Sequence, residues 1–336
     1  MSVEKVHFGT FEQKEITLYK ISNANGIEVS VMNYGLTITS IKLPDGDNIV
    51  CGFDNFESYF TSKYKANSPY FGGVIGRYCA TIRPGKFDNY ELSKNAGENT
   101  LHGGIVGFDK KVWTLDNLAN DAITFSLHSE DGDQGFPGNV DVMVKISLSD
   151  DNALTFNYLA KTDKRTPLSM TNHTYFNLSG FAENIEGHSV MVNSIETFAM
   201  DAEGDYDANR TSVEGEITDL RIAKSIADLH KEVDGMEHFY LYEGGIAPKR
   251  KVAEFAYAAK NRKVEVFTTE PGMLLYTAKY TSGELARESG EQYGKYCALC
   301  CETHRVPNGP NLNGASYIFT EANEKFESET TFKFTI

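Results

Sequence analysis

The stretch VDVMVKISLSDDNALTFNYLAK, residues 140–161, alternates apolar and polar side chains on both sides of a short Ser/Asp/Asn segment. Val140, Val142, Val144, Ile146 and Leu148 recur at every second position, and Leu154, Phe156, Tyr158 and Ala160 repeat the pattern. A period of two places every second side chain on one face of an extended chain, so the stretch predicts two strands, Val140 to Leu148 and Leu154 to Lys161, each with one buried face. Working outward, the same alternation predicts strands at Ile16 to Ser22, Ile27 to Met32, Leu36 to Leu43, Ile123 to His128, Ser189 to Val192, Val264 to Thr268 and Thr330 to Ile336. Asn23-Ala24-Asn25-Gly26 and Asp45-Gly46 supply turns between the first of them. Helical spacing is sparse; Asp219 to His230, with apolar residues at 222, 226 and 229, predicts one short helix. Strands at short intervals with almost no strand–helix alternation predict an all-β fold, a large antiparallel β-sandwich. No internal repeat, low-complexity tract or linker composition marks a boundary, so residues 1–336 are expected to form a single domain.

Composition narrows the function classes. The chain carries 32 Lys plus Arg against 47 Asp plus Glu, a net charge of −15, and no basic run offsets it. Such a chain repels phosphate backbones and anionic lipid, so neither nucleic acid nor a membrane is an expected partner. The N-terminal MSVEKVHFGTFEQKE lacks a basic region followed by an apolar run, and no stretch of about 18 apolar residues occurs. A soluble cytoplasmic protein is expected. Five cysteines, an odd number in a chain this long, do not make a disulfide framework and fit a reducing compartment. The C-x-x-C within CALCC has no second pair at zinc-finger spacing, and buried structural thiols are the expectation there.

Groups capable of proton transfer gather in ENTLHGG with His102, TPLSMTNHTYFNLSG with His173, VDGMEHFY with Asp234, Glu237 and His238, and CETHRVPNGPN with Glu302 and His304. Each lies at the end of an apolar run or beside glycines, where a sandwich displays functional side chains. Taken alone, His173 has a structural reading as a hydrogen-bonded core histidine, and His102 before Gly103-Gly104 reads equally as a turn residue. Glu302 is more telling, since it directly follows the apolar Cys297 to Cys301, where a carboxylate is costly to bury without a partner or a task.

The order of GGVIGRY at 72–78, LHGGIVGFDKKVW at 101–113, DGDQGFPG at 131–138, TPLSMTNHTYFNLSG at 166–180, PGMLLYT at 271–277 and CCET at 300–303 resembles the aldose 1-epimerase, or galactose mutarotase, family across nearly the whole chain. The resemblance implies a β-supersandwich of the galactose mutarotase-like kind, and an isomerase that interconverts the α and β anomers of a free hexose or related aldose without metal or nucleotide cofactor. It implies His173 as general acid, Glu302 as general base and His102 as a hydrogen-bonding partner of the sugar near its ring oxygen. It also implies a small-molecule monosaccharide as the partner, a monomer or homodimer, and a binding set drawn from Glu237, Asn172 and Tyr175, with Asp234 as an alternative to Glu237.

Several sugar-reading positions depart from the family pattern. GRYCATI stands where the family writes G-R-x-A-N-R-I, so Ala80-Thr81 replaces an Asn-Arg pair; Arg83, two residues on in an extended strand, is expected to reach the same space. Glu237 stands for an aspartate, and Leu274 for a glutamine. These changes leave three expectations: an epimerase with altered sugar preference, an epimerase of a phosphorylated or otherwise atypical sugar with Arg83, Lys86 or Arg305 as phosphate ligands, and a carbohydrate-binding or regulatory relative without turnover.

Overall fold

A computed structural model of the chain describes residues 2–200, 206–312 and 317–336. The 140–161 stretch forms the strands Val140–Leu148 and Ala153–Thr162, paired antiparallel with Leu148 opposite Leu154, Ile146 opposite Phe156 and Val144 opposite Tyr158. All of these are buried, so the alternation read from the sequence is the inward face of a sheet. The intervening turn is closed by Asn152, whose left-handed φ of +63° its short polar side chain tolerates.

Among the described residues this pair sits within a nine-stranded sheet, and sheets of four and five strands lie beside it. Every ladder in the three is antiparallel. The four-stranded sheet contains Lys14–Ser22, Glu28–Met32 and Thr37–Lys42; the five-stranded one contains Glu237–Leu241, Gly272–Tyr276 and Cys300–His304. One apolar core joins inward residues of all three, among them Val29 and Ile38, Val144 and Phe332, and Tyr240 and Cys301. That is the sandwich arrangement in which paired sheets bury the faces that alternation makes apolar.

The sequence-based expectation omits several strands, among them Thr114–Leu118, Arg250–Tyr257 and the three just named of the five-stranded sheet, and two further departures have a local cause. Ser2–Phe11 is a strand, paired with Lys14–Ser22, although its composition gives no clean alternation; a register shift between His7 and Gly9 breaks the period. The helix spans only Ile226–Glu232. Asp219 turns back on Arg221, accepting from its backbone N–H and its guanidinium, and Ile222 is 83% exposed while Leu220 is the buried residue, so the helical period does not reach back through 222.

The motif GGVIGRY has a structural task. The buried guanidinium of Arg77 donates to Ser129 Oγ at 2.9 Å, to the carbonyls of Ser129 and Glu130 at 2.8 and 2.7 Å, and to that of Pro137 at 3.0 Å. It ties the 129–137 loop to the segment that leads into Cys79 and Ala80. Arg77→Met strands those acceptors in a dry interior and is expected to lower unfolding free energy by about 3 kcal/mol, read from urea denaturation.

Candidate active site

Three separate segments bring polar side chains together on the face of the five-stranded sheet turned away from the main core. Alternation along Cys300–His304 sends Cys301 and Thr303 into the core, where Thr303 Oγ1 meets Thr330 Oγ1 at 2.5 Å, and therefore sends Glu302 to the opposite face. His173 follows the two-residue strand Thr171–Asn172 and is pinned by its backbone: its N–H donates to the Gly73 carbonyl and its carbonyl accepts from Gly72 N–H, both at 2.9 Å. His102 occupies a left-handed turn with φ of +51°. Gly103, next in the chain, has φ of +86°, and a Cβ there would lie 2.0 Å from the Gly76 carbonyl oxygen; only glycine permits this approach.

The result is a tight cluster. One ligand-capable atom from each of His102, His173 and Glu302 lies within 4.8 Å of the others, and all three residues are buried. Nε2 of His173 stands 3.4 Å from Oε1 of Glu302. Cys79 fills the space behind them, its sulfur 3.9 Å from Glu302 Oε2 and 3.8 Å from His102 Nδ1, and the Cys300 sulfur lies 3.7 Å from His173 Nδ1. The His173 ring lies nearly parallel to Tyr175, with centroids 5.0 Å apart, and Tyr70 meets His102 edge-on at 4.7 Å. These groups open into a cleft of about 270 Å³, which Glu237, Leu274, Tyr276 and Tyr280 also line.

Electrostatics follows from burial. Loss of hydration favours the neutral form of every group here. It pushes the Glu302 carboxyl up to about 8, with the negative charge of Glu237 adding to the rise and the Cys79 hydrogen bond opposing it. It pushes the His173 imidazole down to about 3. His102 is held well below the usual histidine range by burial and by the neighbouring His173, His304 and Lys110. Between these limits the His173–Glu302 pair carries one proton, which in the protein alone rests on the carboxyl.

His102 is also fixed in tautomer. Ala80 N–H donates to its Nδ1 at 3.2 Å, so the neutral ring carries its hydrogen on Nε2. That makes His102 a hydrogen-bond donor toward a ligand oxygen. The same bond occupies the lone pair a cation would require, so the three residues do not fit a metal site.

The sequence-predicted binding residues divide. Glu237 and Tyr175 line the cleft with the three above. Asn172 faces the protein: its amide donates to the Gly72 carbonyl at 2.7 Å and its oxygen accepts from the Thr174 hydroxyl. Asp234 lies at the surface, held by Lys295 Nζ and the Tyr296 hydroxyl, each at 2.6 Å, and is not among the cleft residues. Nor is Arg83. The strand through Thr81 ends at Ile82, and the Arg83 backbone is turned onto the Asn308 side chain at 2.9 Å, so the two-residue alternation that would aim Arg83 with Thr81 does not continue. Sequence reasoning missed Tyr70, Cys79 and Tyr280, which lie outside the charged clusters that mark the other segments.

The five cysteines are buried and free of disulfides, including the C-x-x-C pair, in keeping with structural thiols. Among the described residues no helix is long and apolar enough to cross a membrane.

Comparison with known proteins adds an independent line. The sequence pattern of the family described as aldose 1-epimerase matches residues 17–333. The chain is 33% identical to the galactose mutarotase of Bos taurus, covering 100% of this chain and 99% of that protein, and 32% identical to the aldose 1-epimerase of Escherichia coli (strain K12), covering 94% of each. Its fold superposes on the crystal structure of galactose 1-epimerase from Lactobacillus acidophilus NCFM with a TM-score of 0.84 and 26% identity, over 99% and 98% of the two chains. A GalM/aldose epimerase homologue from C. elegans shares the fold at a TM-score of 0.85 and 20% identity, over 99% of each chain.

Proposed function

Because the chain belongs to the aldose 1-epimerase family, whose members are isomerases acting on sugars, we propose that its cleft interconverts the α and β anomers of a neutral aldose, with His173 and Glu302 moving the protons. The observation that carries the reading is the 3.4 Å separation of Nε2 and Oε1. Ring opening removes the proton from the C1 hydroxyl and delivers one to the ring oxygen, and these oxygens are bonded to the same carbon. An acid and a base must therefore stand side by side, each in hydrogen-bond reach of one of them.

The single proton held by the pair suits this task. When hydroxyls of a bound sugar solvate Glu302, the carboxylate form is favoured and the proton passes to His173. Glu302 then accepts the C1 hydroxyl proton while His173 Nε2–H protonates the ring oxygen. The C1–O5 bond breaks and its electron pair stays on O5; the electron pair of the O–H bond forms the aldehyde. The pair ends as carboxyl and neutral imidazole, the arrangement it has in the protein alone. Rotation about C1–C2 presents the other aldehyde face, and reclosure runs the same transfers backwards. His102 Nε2–H stabilises charge building on a sugar oxygen.

Glu237 accepts from a sugar hydroxyl, and Tyr280, exposed at the cleft mouth, offers an apolar ring face to its C–H surface. Among the described residues lining the cleft there is no arginine or lysine, which favours a neutral sugar over a phosphorylated one. Of the three side chains that a phosphate would call on, Arg83 and Lys86 are not cleft residues, and Arg305 is turned inward onto the Phe326 ring and the Tyr317 carbonyl. We further read the chain as one working domain, a monomer or homodimer, in a reducing cytoplasm; its unpaired thiols support the last.

The test dissolves crystalline α-anomers of galactose, glucose, xylose and arabinose and follows equilibration by polarimetry against buffer. Acceleration of at least one is expected, and the ranking reports the effect of Leu274 and of the Ala80-Thr81 replacement. Rates equal to buffer for all four, with sugar binding retained, would indicate a binding relative instead. The pH profile adds a sharper outcome. The working state is the one-proton pair, so kcat/KM is flat through neutral pH and falls about tenfold per pH unit above about 8, where Glu302 gives up the last proton while His173 stays neutral.

A further inference from the structure

Lys279 lies just behind the cleft wall. Its ammonium bonds Glu237 Oε2 at 2.9 Å and sits 4.7 Å from the centre of the Tyr280 ring. Its side chain is only 18% exposed, less than that of Glu237 at 27%, so this is an ordered, partly desolvated ion pair rather than a surface contact. Tyr280, by contrast, is 65% exposed and presents its ring at the cleft mouth. The segment carrying both is tied down on two sides: Tyr280 N–H donates to the Tyr276 hydroxyl at 3.0 Å, while Asn67 donates to the Tyr280 carbonyl at 2.8 Å and accepts from Ser282 N–H at 2.9 Å.

We infer that Lys279 is a positioning residue that sets the sugar specificity of this wall, holding the Glu237 carboxylate and the Tyr280 ring in one fixed arrangement before a sugar arrives. The inference rests on the reading of Glu237 as a sugar ligand and goes beyond it. A glutamate has one more rotatable bond than an aspartate, and a mobile carboxylate must be ordered on binding, which weakens affinity. The ion pair does that ordering in advance. With Oε2 anchored on the ammonium, the carboxylate meets an incoming sugar in one orientation, so the wall discriminates by the position of the hydroxyl it receives. The ammonium over Tyr280 joins the polar contact to the stacking surface through one side chain.

Four variants, Lys279→Met, Lys279→Arg, Glu237→Gln and the Glu237→Gln/Lys279→Met double, test this against the best aldose from the polarimetric ranking. Lys279→Met is expected to raise KM about tenfold with kcat within about twofold and melting temperature unchanged, the pattern of lost ground-state binding. Lys279→Arg restores most of the affinity, and the double variant loses much less than the product of the two single losses, since most of the Lys279 effect runs through Glu237. If Glu237→Gln raises KM and Lys279→Met does not, the positioning role is overturned while Glu237 remains a ligand. If both leave KM unchanged, the reading of Glu237 itself fails. Fully additive losses in the double variant would mean that Lys279 acts independently of Glu237, which also overturns the inference.

Discussion

Glu302→Gln is expected to lower kcat for mutarotation by about 10³-fold while sugar affinity, measured by titration calorimetry, changes by no more than a few-fold. The amide matches the carboxyl in shape, so the cleft keeps its form, but it cannot accept the C1 hydroxyl proton. The variant separates an enzyme from a carbohydrate-binding module, because a module has no turnover to lose. Stability gives a second sign. Glu302 is fully buried and its Oε1 accepts no hydrogen bond, so a group that never ionises removes a desolvation burden, and the melting temperature is expected to hold or rise. Turnover retained in Glu302→Gln would remove the residue from the reaction.

His173→Gln is expected to cost a similar factor, about 10³ in kcat, since an amide supplies no transferable proton to the ring oxygen. The double variant carries the sharper statement. In the proposed reaction His173 and Glu302 share one proton and act on two oxygens of one carbon, so removing either disables the pair. The loss in His173→Gln/Glu302→Gln should therefore be close to that of the worse single variant, far from the product of the two. Rates measured by polarimetry decide it: a multiplicative loss would mean that the two groups act in separate steps.

How much of this was legible in the sequence depends on whether order along the chain or proximity in space carries the signal. Val140–Leu148 and Ser189–Val192 match the expected bounds because uninterrupted alternation needs no tertiary information. Ser2–Phe11 was illegible because a shift at His7–Gly9 interrupts its period and its burial is partial. His102 and His173 stood out by their glycine and amide neighbours, and Glu302 by the apolar run before it. Arg83 was misplaced because alternation was extended past Ile82, where the strand ends. Tyr70 and Lys279 carried no local mark: the first belongs to the site by meeting rings from residues 102 and 173, the second by its ion pair with residue 237.

The one-proton pair has a consequence for the surrounding solution. Mutarotation in water draws on whatever acids and bases the solvent offers, so its speed follows the buffer. In the reaction proposed for this cleft, the proton surrendered by the sugar at one oxygen is replaced at the neighbouring one from the same two side chains, and the total charge of protein plus sugar is constant at every stage. Neither hydronium nor buffer enters the circuit. An enclosure lined by tyrosines and leucine, hostile to free ions, is thereby no obstacle to acid–base chemistry, and the cycle runs without exchanging protons with the bulk.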